Sequence, residues 1–119
     1  MKFFSIYVPD PASNAGRPTG ARKQAMDEFV AQSIARGQLL MGGGFLSLRE
    51  HGVVMRRSNG ATRVVDGPYA ESKELLGGFA LLEYPSREAA IEGARQFLQV
   101  AGDGECVTYR IVDGPDGAH

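Results

Sequence analysis

The stretch Ala61–Tyr84, ATRVVDGPYAESKELLGGFALLEY, decides how this chain is read. Its two ends are runs of strand formers, ATRVV and FALLEY. Between them lies a polar segment flanked by glycine, far longer than the two residues that suffice to join antiparallel strands. ATRVV follows Asn59-Gly60, the strongest short hairpin signal, so it is the return strand of a hairpin whose outgoing strand lies near 52–57. FALLEY is almost continuously apolar, the pattern of a strand with both faces covered.

Working outward, Phe3–Val8 is β-branched and aromatic and reads as a first strand. The proline-bearing run from Pro9 to Gly20 is loop. In the following segment Met26, Phe29, Val30, Ser33 and Ile34 fall on one helical face, with Thr19 as N-cap and Gly37 as the residue just past the end. A strand is expected near 38–48, with Gly42–Gly44 marking a bulge or bend and His51-Gly52 a turn. After FALLEY, Ser86 caps a second helix whose inward residues are Ala90, Ile91, Ala94, Phe97 and Leu98. The last strand is CVTYRIV, with Val107, Tyr109 and Ile111 on one side. Residues 1–112 form one domain and 113–119 a flexible tail.

The order β-α-β(ββ)-β-α-β is that of an α+β, ferredoxin-like sandwich with an extra β-hairpin. Two helices cover one face of such a sheet. FALLEY asks for cover on both, so a second copy of the chain is expected on the other face, making a homodimer.

Composition narrows the function. The chain has 119 residues, 43% of them apolar, and a formal net charge of −1. No stretch is long and apolar enough to span a bilayer, and the N-terminal run lacks a signal-peptide cleavage pattern. A single cysteine, Cys106, fits a reducing, cytoplasmic setting. The charge balance argues against a nucleic-acid surface, and Arg56, Arg57 and Arg63 on a hairpin read as solvated. No metal-ligand spacing is present, and Gly42–Phe45 lacks the Lys-Ser/Thr of a phosphate loop, so neither metal nor cofactor is expected.

The segment Asp66–Phe79, DGPYAESKELLGGF, resembles the signature of the YCII-related family, DGPF-domain subgroup. Tyr69 stands where that subgroup usually has Phe, and Ser72 where it has Thr. The resemblance extends over nearly the whole chain. It implies a dimeric α+β barrel built of two ferredoxin-like protomers, with a pocket near Asp66. It also implies two kinds of role. One is small catabolic chemistry of the lyase or dehydrochlorinase type, using an Asp with a His. The other is regulatory, in association with an extracytoplasmic-function sigma factor.

The candidate residues follow. Asp66 ends a strand beside an expected short helix over Tyr69–Leu76, where it serves either as a cap or as a general base or ligand anchor. Gly67, Tyr69 and Lys73 are the candidate ligand contacts around it. The histidines are His51, in a turn, and His119, the last residue, so the family's His-Asp pair does not carry over directly. Three functions stay open: metal-independent lyase- or isomerase-type acid–base chemistry on a small organic substrate, a ligand-binding or regulatory domain without turnover, and a structural or interaction protein.

Overall fold

The structure is a computed structural model in which residues 1–13, 20–67 and 77–112 are described. Strand β1 spans Lys2–Pro9, helix α1 Ala21–Ala35, β2 Leu39–Gly44, the single turn α2 Leu48–His51, β3 Val54–Ser58, β4 Ala61–Val65, β5 Gly78–Glu83, helix α3 Arg87–Ala101 and β6 Gly104–Ile111. Four strands form one sheet in the order β2-β5-β1-β6, and β3 and β4 form a separate two-stranded sheet. The pairings in both are antiparallel. The larger sheet is therefore two interleaved β-α-β units, a mixed α+β fold, as the element order anticipates.

Local chemistry explains most element ends. Ser86 takes an extended conformation and its hydroxyl accepts from the Ala89 N–H at 3.1 Å, so the expected N-cap of α3 is in place. Gly37 has a φ of 71°, the left-handed geometry expected after α1. The start of α1 differs from expectation. Its N-cap is Gly20, at φ 60° and ψ −131°, with no side-chain cap, and Thr19 lies outside the described residues. That backbone geometry is open to glycine and strained for other residues, so chain direction rather than a hydroxyl sets where the helix begins. Between β2 and β3 the expected turn at His51-Gly52 is the end of α2.

Register sorts the sheet into two faces. Residues opposite one another share a face, and successive residues alternate. Phe3 pairs with Leu82 and Arg110, Ser5 with Ala80 and Thr108, and Tyr7 with Cys106. This face meets the helices. Phe3, Tyr84 and Ala90 form the buried cluster, with Leu82 and Ala89 packed against it. Further along, Tyr7 meets Phe97 edge-on at 5.3 Å, and Phe97 meets Phe29 of α1 at 6.2 Å. The Ser5 and Thr108 hydroxyls bond each other at 2.7 Å, which satisfies two polar groups beneath the helices.

The helix faces agree with the sequence pattern in the middle and depart at the flanks. Met26, Phe29 and Val30 are half-buried and Ser33 is buried, its hydroxyl returned to the Phe29 carbonyl at 2.8 Å. Ile34 and Ile91, expected inside, are 58% and 40% exposed. Each follows a buried residue, Ser33 or Ala90, and one residue is about 100° of helix rotation, enough to leave a narrow contact stripe.

The opposite sheet face carries Phe4, Ile6 and Val8 of β1, Phe79 and Leu81 of β5, Met41 of β2, and Val107, Tyr109 and Ile111 of β6. Phe4 stacks on Phe79 with ring centres 6.1 Å apart, and Phe45 leans on Phe79 at 5.4 Å. Neither α1 nor α3 covers this face. Met41 is 60% and Tyr109 56% exposed.

The β3–β4 hairpin turns at Asn59 and Gly60, whose φ values of 52° and 79° suit a tight two-residue turn of type I′. Apart from Val54 and Val65 its strand residues are exposed. Arg56 stands directly across from Arg63, and Arg57 reaches the Thr62 hydroxyl at 3.4 Å. Ser86→Ala is expected to lower stability by about 1 kcal/mol through loss of the α3 cap. Urea unfolding followed by helical circular dichroism measures it.

Candidate functional site

Asp66 and Gly67 follow β4 directly and are exposed. In the hairpin register Val65 faces Val54, so Asp66 lies one residue beyond the last pair, at the hairpin's open end. Among the described residues no hydrogen bond or ion pair engages the Asp66 carboxylate. His51 precedes β3 by three positions and comes to the same end of the hairpin. The carboxylate it faces is that of Glu50, at 3.7 Å. Tyr69, Lys73 and the expected helix over Tyr69–Leu76 lie outside the described residues, as does the tail 113–119.

At Gly77, just before β5, the need for glycine is steric. The Gly77 N–H donates to the Tyr7 carbonyl at 2.8 Å, and the Phe45 N–H donates to the Gly77 carbonyl at 3.4 Å. A Cβ at Gly77 would stand 2.9 Å from the Tyr7 ring and 3.1 Å from Pro9. One at Gly78 would stand 2.9 Å from the Gly43 carbonyl oxygen. The paired glycines admit protein neighbours, an aromatic ring on one side and the β2 backbone on the other. The sequence shows the glycines but not this reason, because Tyr7, Gly43 and Gly77 meet only through the sheet. The Gly42–Gly44 run is explained in the same way. The register shifts between Leu39 and Met41, and the Phe79 ring lies over Gly43 with ring carbons 3.4 Å from where a Cβ would be.

The remaining groups with chemistry to offer are tied to the fold. The Tyr7 hydroxyl donates towards the carbonyls of Gly102 at 3.2 Å and Asp103 at 3.0 Å, and Arg22 donates to the Ala101 carbonyl, together closing the end of α3. Burial raises the Tyr7 phenol above its usual range against the opposing pull of Arg22. Burial also raises the Cys106 thiol, partly offset by hydrogen bonds with Thr108 and Ser5, which suits an inert cysteine rather than a nucleophile. Among the described residues no three His, Cys, Asp or Glu side chains gather in a way that could hold a metal ion. No described helix is long and apolar enough to cross a membrane.

The YCII-related domain matches residues 1–113. The chain belongs to the YCII-related family. An uncharacterised protein of Rhizobium meliloti (strain 1021) is 49% identical over 41 residues, 34% of this chain and 33% of that one. The matched stretch thus spans about a third of that relative's length. The solved structure of 5-chloro-2-hydroxyhydroquinone dehydrochlorinase from Burkholderia phenoliruptrix AC1100, in complex with 2,5-dihydroxybenzoquinone, is 15% identical. It aligns over 98% of this chain and 99% of that one, with a TM-score of 0.49. At that score it bears on neither substrate nor mechanism.

Gly77→Ala is expected to cost about 1–3 kcal/mol, because the new methyl must displace the Tyr7 ring or Pro9. Thermal unfolding against the wild type checks it, and an unchanged melting temperature would show that the ring moves freely.

Proposed function

We propose that this YCII-related chain is a member of the DGPF subgroup that acts on a small organic molecule at Asp66, by metal-independent acid–base chemistry of the lyase or isomerase type. The observation that carries the reading is the exposure of Asp66 at the end of β4, with its carboxylate unengaged among the described residues. Asp side chains that serve the fold at strand and helix ends commonly bond a nearby backbone N–H. Among the described residues the Asp66 carboxylate makes no such bond, which leaves it available to a ligand. In this reading Asp66 takes or gives the proton, and Gly67, Tyr69 and Lys73 contact the ligand, Lys73 through an anionic group. His51, at the same end of the hairpin, is the described residue best placed in sequence to join it.

The test is a screen of small organic acids and lactones against the wild type and Asp66→Asn. Turnover by the wild type, lost in the variant with the melting temperature held within about 2 °C, is the expected result. A fall of several degrees with turnover intact would mark a lost cap worth about 0.5–2 kcal/mol and defeat the proposal. Binding without turnover would place the chain with non-catalytic, ligand-binding or sigma-factor-associated regulators.

The working form in this reading is a homodimer of ferredoxin-like protomers, sheet against sheet, in a dimeric α+β barrel. The apolar face around Phe4, Phe79 and Leu81, which neither long helix covers, supports it. Exposed apolar patches of this kind mark association surfaces. Sedimentation velocity is expected to give twice the 12.8 kDa chain mass for the wild type and the single mass for Leu81→Asp. A wild type that sediments as a monomer at micromolar concentration would remove the dimer.

A further inference from the structure

A second set of groups converges on the helix side of the sheet, built around Tyr84. This residue follows β5, packs its ring 6.3 Å from that of Phe3, and is 6% exposed. Its hydroxyl runs beneath α3 at Gly93, where a Cβ would overlap it. Gly93 is thus the opening through which a core tyrosine presents its oxygen at the surface. A cleft of about 180 Å³ opens there, lined by Arg36, Gln38, Tyr84, Ala89, Glu92 and Gln96 together with Gly93.

Its polar groups are unequally satisfied. The Glu92 carboxylate is engaged by Arg95 and by the Gln96 amide, so its charge is compensated. Among the described residues the Tyr84 hydroxyl has no hydrogen-bond partner and Arg36 no ion-pair partner. A phenol is protonated at neutral pH and burial raises that of Tyr84 further, so the hydroxyl can donate. The cleft therefore offers a guanidinium and a nearly buried hydroxyl donor without acceptors, with the Gln38 amide beside them. This donor set suits a carboxylate, which accepts through both oxygens. Apolar cavities of about 150 Å³ hold a benzene-sized molecule, so the space accommodates a single-ring acid.

We infer that the cleft is a binding site for a small organic acid, its carboxylate held between Arg36 and the Tyr84 hydroxyl and its body lying over Ala89 and Gly93. The site is separate from Asp66 and does not depend on the reaction proposed there. It lies on the helix side, so face-to-face packing of two sheets leaves it open.

The probe is benzoate, titrated into the full chain labelled with nitrogen-15, with benzamide as the neutral control. Saturable shifts at the backbone amides of Gln38, Ala89 and Gly93 are expected, with benzamide weaker. Tyr84→Phe keeps the ring and its packing on Phe3 while removing the hydroxyl. This variant and Arg36→Gln are each expected to weaken benzoate about tenfold, the usual effect of losing one charge-assisted hydrogen bond. Shifts that stay linear with concentration, shifts centred elsewhere, equal binding of benzamide, or wild-type affinity in both variants would each overturn the inference.

Discussion

Two helices cover only one face of a four-stranded sheet, and most of this molecule follows from that limit. On the covered face β1 places Phe3, Ser5 and Tyr7 under α1 and α3, with every second residue of β5 and β6 beside them. On the other face the same strands place Phe4, Ile6, Phe79, Leu81, Val107 and Tyr109. A one-residue slip of β1 would exchange the two sets, so the alternation also fixes the register. The strand that sequence patterning reads as covered on both faces, FALLEY, has its second face open in the single chain. Patterning reads burial along the strand, while the structure shows which face the chain's own helices supply with cover.

Glycine admits close approach of the backbone at several points, and two of them shape the regions described above. At Gly77 and Gly78 the chain enters β5 against the Tyr7 ring and the Gly43 carbonyl. At Gly93 the helix lies on the Tyr84 hydroxyl. The first contact fixes how the chain enters β5 and the second opens the cleft. In each one partner is an aromatic side chain anchored elsewhere in the core, Tyr7 on Phe97 and Tyr84 on Phe3.

The element order was legible because its signals are local. Asn59-Gly60, Ser86 and Gly37 each declare a turn, a cap or a helix end within a few residues, and each does so in the structure. The flanks of the helix faces were less legible, since Ile34 and Ile91 are apolar wherever they point. The start of α1 was misread because Thr19 looks like a cap, while Gly20 supplies the backbone angle. Asp66 stood out by its place in the sequence pattern after a strand, and the structure sets it exposed just past β4. The cleft at Tyr84 was not legible at all. It joins Arg36 and Gln38, which follow α1, to residues 84–96 on the helix side of the sheet, and no spacing in the sequence relates them.

Among the described residues the β3–β4 sheet has two strands, and the outer edge of such a ribbon presents backbone groups that another chain can pair with. Its exposed Met55 and Val64 would favour such pairing. Arg56 opposite Arg63 opposes it, since a third strand added in register would bring more arginine beside two that already repel. The cost these two charges impose on the hairpin itself is therefore matched by a gain in colloidal behaviour. They act as gatekeepers that keep the arm from seeding edge-to-edge aggregation while it is exposed.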